Sequence, residues 1–283
     1  MKFSICVVLD SKAILDAKLW FLPTSTNRHR WTLRKQITEK LEGIVKKRLS
    51  LPSDAYGSDL LGLMLSALKD EGQNDPSMSL QEIIDECKTF HFAGHETTSS
   101  LLSWTDMLLA HHSEWQEYAR EEVHSVLGNS SPRRLPESIK DGMVLQESLW
   151  LYPPVRGVLR KTTKDGKFGC MTVPKGTGFF MGILPLHIDR ELWGTDALEF
   201  NPQRFANGVF KACKHPSAFL PFGSGPRICV GQNFAMMEAK IVLCMILQKF
   251  RFRLSPGYIH APMQLLTLQP EHGVQILLES LVA

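Results

Sequence analysis

The sequence predicts a mainly helical chain with minor β sheets, and three stretches carry that expectation. A helical pattern of more than thirty residues runs from Ser79 to about His112, an apolar run follows Gly231 as far as Phe250, and short β-favouring pieces lie between Val155 and Ile183. With 283 residues and 43% hydrophobic content the chain can bury a sizeable core. It is read as one domain over residues 1–283. The net charge of +3 is too mild to imply nucleic acid as a partner.

From the amino terminus, M-K-F-S-I-C-V-V-L-D holds too short an apolar run for a membrane span or a secretory signal. Six cysteines (Cys6, Cys87, Cys170, Cys213, Cys229, Cys244) show no CxxC pairing and read as reduced, intracellular thiols. Asn27 to Leu49 is a basic helix with apolar positions Trp31, Leu33, Ile37, Leu41, Ile44 and Val45. Its charged face is a solvated one, with a membrane-surface role as the lesser reading. A linker from Ser50, a short helix from Asp59 to about Lys69 and a polar loop from Gln73 to Ser79 follow.

Ser79 and Glu82 form a capping box that opens the long helix. In its middle stands A-G-H-E-T-T, Ala93 to Thr98. Glycine costs about 1 kcal/mol against alanine inside a helix, and room for a ligand against the backbone is a reason for Gly94. His91 and His95 share a helix face, but a zinc hydrolase places its glutamate between such histidines, whereas Glu96 lies outside them. Ser113 and Gln116 read as a second capping box, on a helix ended by Gly128. Asn129 to Lys140 is a loop, and Met143 to Leu151 a short helix stopped by Pro153 and Pro154. Strand pieces fall at Val155 to Thr163, Cys170 to Val173 and Phe179 to Ile183, with a turn at Pro174. The closing segment reads as strands with a turn at Glu271 to Gly273.

The most informative stretch is Pro221 to Gly231, P-F-G-S-G-P-R-I-C-V-G. Gly223 and Gly225 allow a tight turn and a close approach to a flat ligand. Arg227 and the positive end of the following helix favour a thiolate at Cys229. A lone thiolate of this kind suits a metal-centred cofactor bound from one side, and not zinc, for which no second ligand stands at the right spacing.

The run F-x-x-G-x-R-x-C-x-G, filled by Phe222, Gly225, Arg227, Cys229 and Gly231, resembles the haem loop of a cytochrome P-450 monooxygenase. A-G-H-E-T resembles that family's oxygen-activation segment. Q-E-S-L-W with F-N-P-Q-R-F resembles its E-x-x-R helix and the later arginine, here Glu147 and Arg204, with Trp150 in place of the helix arginine. Arg160 falls where the family has a propionate-contacting arginine, and the match continues through His187, Trp193, Asp196 and Phe200. The style is that of the plant branch.

The resemblance implies haem b on Cys229 and propionate contacts from Arg227 and Arg160. It implies proton delivery by Glu96 and Thr97 beside Gly94, and electrons from NADPH through a reductase. The implied reaction is monooxygenation of a hydrophobic small molecule with O2. The chain resembles the family's C-terminal part, without the amino-terminal anchor and early helices. Endoplasmic-reticulum residence is implied by the family, and a cytoplasmic or membrane-peripheral place by the chain as given. Because the Glu147–Arg204 network lacks its third member and the family's N-terminal half is missing, an inactive remnant that holds no haem is the alternative.

Overall fold

The computed structural model describes residues 21–68, 78–128 and 142–281. The opening segment with Cys6, the Asn129 to Lys140 loop and most of the Gln73 to Ser79 loop lie outside them. The chain divides into two compact units, Met1–Ala93 and Gly94–Ala283.

In the first unit, α1 (Ser25–Leu49) begins where Thr24 Oγ1 accepts the Asn27 amide at 3.2 Å. Lys46, Lys47 and Arg48 occupy its last turn, where cations complement the helix dipole. Arg48 then donates to the Tyr56 carbonyl at 2.6 Å and pairs with Asp59 at 3.0 Å, which fixes the turn into α2 (Leu60–Leu68). Val45, Tyr56, Leu65, Ile83 and Ile84 form the core of this unit, with Leu41 against it. Among the described residues, Trp31, Leu33, Ile37 and Ile44 stay exposed, and the apolar face of α1 is covered near its carboxyl end.

The capping box forms as expected: the Ser79 amide donates to Glu82 at 2.6 Å, and the Glu82 amide donates to Ser79 Oγ at 3.2 Å. It opens α3 (Leu80–His111), which contains the boundary between the units. The second expected box does not form. No side-chain cap bond stands at the start of α4 (Ser113–Leu127), because Gln116 is buried and engaged elsewhere. Its Nε2 donates to the carbonyls of Leu109 and Phe252, and its Oε1 accepts from the Phe252 amide and Arg120. Gly128 closes α4 with φ of 55°.

The core of the second unit joins α3, α4, α5 (Gly142–Leu151) and the long α9 (Gln232–Lys249) to strand β5 (Phe250–Leu254). α5 is buried on both sides. Val144, Leu145 and Leu149 enter that core, while Met143 and Trp150 enter a second cluster with Trp193, Ala197, Phe205 and Ala218. α9 buries Ala239, Leu243 and Leu247, yet Phe234, Met237 and Met245 on its opposite face are exposed.

Among the described residues, two-stranded antiparallel sheets complete the unit. β1 (Gly157–Lys161) pairs with β4 (Gly178–Gly182), β2 (Gly166–Phe168) with β3 (Met171–Val173), β5 with β8 (Ile276–Ser280), and β6 (Pro262–Gln264) with β7 (Leu268–Pro270). Strand β2 and the one-turn helices α6 (Leu184–His187), α7 (Arg190–Trp193) and α8 (Val209–Ala212) had no counterpart in the sequence reading. No described helix is long and apolar enough to cross a membrane.

Candidate functional site

The cysteine loop is built by backbone geometry. Gly223 and Gly225 sit at φ of 73° and 71°, where a side chain would be strained. A 3₁₀ turn over Gly225–Arg227 follows, closed by the Ile228 amide on Gly225 O at 3.1 Å. The Cys229 amide then donates back to Phe222 O at 2.9 Å, so the loop returns on itself and presents Cys229 two residues before the Gly231 N-cap of α9. The thiol is exposed and in no disulfide. Its neighbours Ile228, Val230 and Phe234 are 52%, 86% and 71% exposed, an apolar surround for a sulfur facing outward. The Arg227 side chain has no ion-pair partner among the described residues, and neither does Arg160, which crosses from Phe179 in the β1–β4 sheet.

Behind the loop lies the cluster around α5. Glu147 is fully buried and accepts Arg204 Nε at 3.1 and 3.2 Å and the Asn201 amide at 2.8 Å. Arg204 also donates to Asp196 O and pairs with its carboxylate at 3.2 Å. Burial pushes the Glu147 carboxyl up to about 7, against the opposing pull of the Asn201 amide and the Arg204 guanidinium.

Trp150 supplies what the missing arginine does not. Its ring lies 4.1 Å under Arg204 Cζ and tilts onto Trp193 at 5.0 Å. A guanidinium over an indole face is a favourable cation–π contact, worth about 2 kcal/mol when desolvated. The ion pair is thus kept and its third member replaced by a ring; only the indole Nε1 is buried without a hydrogen-bond partner. This contact was not legible as such, since Trp at that position reads as a loss.

His187, fully buried, ties this cluster to the loop. Its Nε2 accepts the Leu220 amide at 3.1 Å, which leaves Nδ1 as the protonated nitrogen and donor to the Trp150 carbonyl at 3.0 Å. Burial holds its pKa down to about 4, the Trp150 carbonyl opposing.

On α3, a Cβ built on Gly94 would meet nothing within 4 Å. Glu96 is half-buried; its Oε2 accepts Gln269 Nε2 at 2.7 Å, and its Oε1 lies 3.7 Å from His95 Nδ1. Thr97 is half-buried beside it, and Thr98 Oγ1 is buried without a hydrogen-bond partner among the described residues. A polar cleft of about 300 Å³ opens here, lined by Glu96, Ser99, Ser100, Ser103, Gln269 and Pro270. Sequence reasoning missed Gln269, which stands far from Glu96 along the chain and bears no motif. Among the described residues no group of three or more His, Cys, Asp or Glu side chains is placed to hold a metal ion, the pair His91 and His95 included.

The family profile described as Cytochrome P-450 matches residues 7–278. The chain belongs to the cytochrome P-450 family. It is 46% identical over 268 residues to cytochrome P-450 709B1 of Arabidopsis thaliana, covering 92% of this chain and 51% of that one. It is 44% identical over 270 residues to secologanin synthase 1 of Catharanthus roseus, covering 92% and 52%. Among solved structures, a cytochrome P-450 described as CYP102L1 superposes with a TM-score of 0.78 at 28% identity, over 93% of this chain and 60% of that one. A retinoic acid-bound cyanobacterial CYP120A1 gives 0.77 at 31%, over 92% and 59%. The chain therefore spans about half the length of the curated relatives it matches. Members of this P-450 family bind haem iron and draw electrons from NADPH through a reductase.

Proposed function

We propose that this chain carries the haem-thiolate centre of a monooxygenase acting on a hydrophobic small molecule, with Cys229 as the axial ligand. The observation that carries the reading is the Cys229 loop itself. One exposed cysteine stands on a backbone closed by the Phe222–Cys229 hydrogen bond, in an apolar surround and next to an arginine without an ion pair among the described residues. That donor set fits a flat apolar ring needing one axial sulfur and bearing carboxylates.

Haem b, when bound, supplies oxygen activation with electrons that an NADPH-dependent reductase delivers. The chain's own residues do the rest. Cys229 gives its sulfur, and Gly231 stands beside it at the start of α9. Arg227 and Arg160 would hold the propionates, and Gly94 would keep α3 free of a side chain where a ligand approaches. Glu96 takes and releases a proton at its carboxylate, and the Thr97 hydroxyl passes it on. Residues 1–283 form one P-450 domain in this reading, at the endoplasmic-reticulum membrane surface. The alternative of a remnant without haem rests on Trp150 and on the missing N-terminal half, and the Arg204–Trp150 contact answers the first of these grounds.

The test is haem reconstitution of the 283-residue protein, followed by the absorption spectrum of its reduced, CO-bound form. A Soret band at the thiolate position, lost in Cys229→Ala, is expected; unchanged haem content in that variant would move the ligand elsewhere.

A further inference from the structure

We propose that Gln269 is the positioning residue for Glu96, and that the polar cleft they share is the route by which protons reach that carboxylate. The inference rests on the reading of Glu96 as the proton-relaying acid.

Gln269 is held from both sides. Its Nε2 donates to Glu96 Oε2 at 2.7 Å and to Thr267 Oγ1 at 3.0 Å. Thr267 is buried, and the next residue, Leu268, is anchored to α3 through its carbonyl, which accepts Ser100 Oγ at 2.5 Å and Trp104 Nε1 at 2.9 Å. The Leu268 amide is fixed in turn on Pro154 O at 2.9 Å. Strand β7 is therefore locked to α3 at Leu268, the residue just before the Glu96 contact, and the amide arrives in a fixed place.

A neutral amide is the right donor for this task. It orients one carboxylate oxygen without binding the group in an ion pair, and the remaining lone pairs stay open to water. Among the described residues no lysine or arginine lines the cleft, and His95 stands 3.7 Å from Glu96 Oε1. Every lining residue but Pro270 is polar, and about 300 Å³ is room for several waters at ~30 Å³ each. The step is a plain proton transfer. A hydronium in the cleft loses a proton and becomes water as an O–H bond forms on Glu96; that bond then breaks when the proton moves on toward Thr97.

Two measurements decide it. In the haem-free chain, Gln269→Glu sets a second carboxylate beside Glu96, and like charges at that distance disfavour joint ionisation. Its urea midpoint is expected to fall between pH 5 and pH 8 relative to the parent, with Glu96→Gln or a His95→Gln background sorting the carboxylate pair from the imidazole. A Gln269→Glu variant that tracks the parent at both pH values would show the contact absent in solution and overturn the proposal.

In the haem-loaded chain supplied with a plant reductase, Gln269→Leu keeps bulk and removes the donor. With Soret position and haem content unchanged, product formed per NADPH should fall about tenfold or more. Released hydrogen peroxide and the solvent isotope effect should rise together. Parent-like coupling in Gln269→Leu would reduce Gln269 to a tie between β7 and α3. A parent chain with no thiolate Soret band would overturn the functional reading, and this proposal with it, while the haem-free arm still settles the contact.

Discussion

Replacing Trp150 separates what its ring does from what its volume does. Trp150→Phe keeps an aromatic face under Arg204 and removes the indole N–H that is buried without a partner. Relief of an unsatisfied buried donor is worth about 1–3 kcal/mol. The smaller ring leaves a void costing roughly 1–2 kcal/mol, so the two terms nearly cancel. Trp150→Leu removes the same N–H but also the π face. It forfeits about 2 kcal/mol against the guanidinium and about 1 kcal/mol against Trp193. Leu should therefore lie about 2–4 kcal/mol below Phe, a large part of a typical 5–15 kcal/mol. In Trp150→Arg, repulsion from Arg204 and attraction to Glu147 are each about 4 kcal/mol at 4 Å and an effective dielectric of 20. They offset, and the packing on Trp193 is still lost, so Arg also falls below Phe. Urea unfolding followed by circular dichroism orders the four proteins; equal midpoints for Phe and Leu would refute the cation–π account.

Asp106 has a buried Oδ1 without a hydrogen-bond partner, and burial pushes its pKa up to about 7. The folded chain keeps this proton while the unfolded chain releases it near pH 4, so stability falls as pH rises from about 4 to about 7, by up to roughly 4 kcal/mol. Asp106→Asn should flatten that slope in urea titrations, leaving the same-signed part due to Glu147. His187 runs the other way: with its folded pKa down at about 4, stability is lost as pH falls from about 6.5 to about 4, and His187→Phe should abolish that acid branch. Gln116→Leu strands the Phe252 amide and carbonyl and one Arg120 donor, and should cost about 3 kcal/mol or more by the same assay.

Local chemistry was readable in the sequence and long-range chemistry was not. The Ser79–Glu82 box needs only its own four residues, and the Cys229 loop is set by glycine conformations and an arginine at fixed offsets, so both could be read. Ser113 and Gln116 carry the same local pattern, yet the glutamine is taken by the Phe252 backbone, whose proximity only the tertiary fold creates. Four-residue helices such as α6 and α7 are too short to show a period. α9 is apolar on both its buried and its exposed faces, so its pattern announced a helix but not which side enters the core. The Glu147–Arg204 pair was readable from its segments, whereas the Trp150 face could not be, because its value depends on a guanidinium arriving over the ring.

The manner in which position 150 connects to the cysteine loop explains why an aromatic substitution there can be absorbed. The link runs through main chain and the His187 ring: the Trp150 carbonyl to His187 Nδ1, His187 Nε2 to the Leu220 amide, and two residues on, Phe222 O to the Cys229 amide. None of these bonds uses the Trp150 side chain. The side chain acts on the other branch, holding Arg204 against Glu147, and through it Asp196 and Asn201. His187 stacks on Phe219 at 5.3 Å, so the residues immediately ahead of the loop are fixed by a ring contact as well as a hydrogen bond. The loop's position therefore depends on helix α5 being in place and His187 being neutral, two conditions that an indole at position 150 leaves intact.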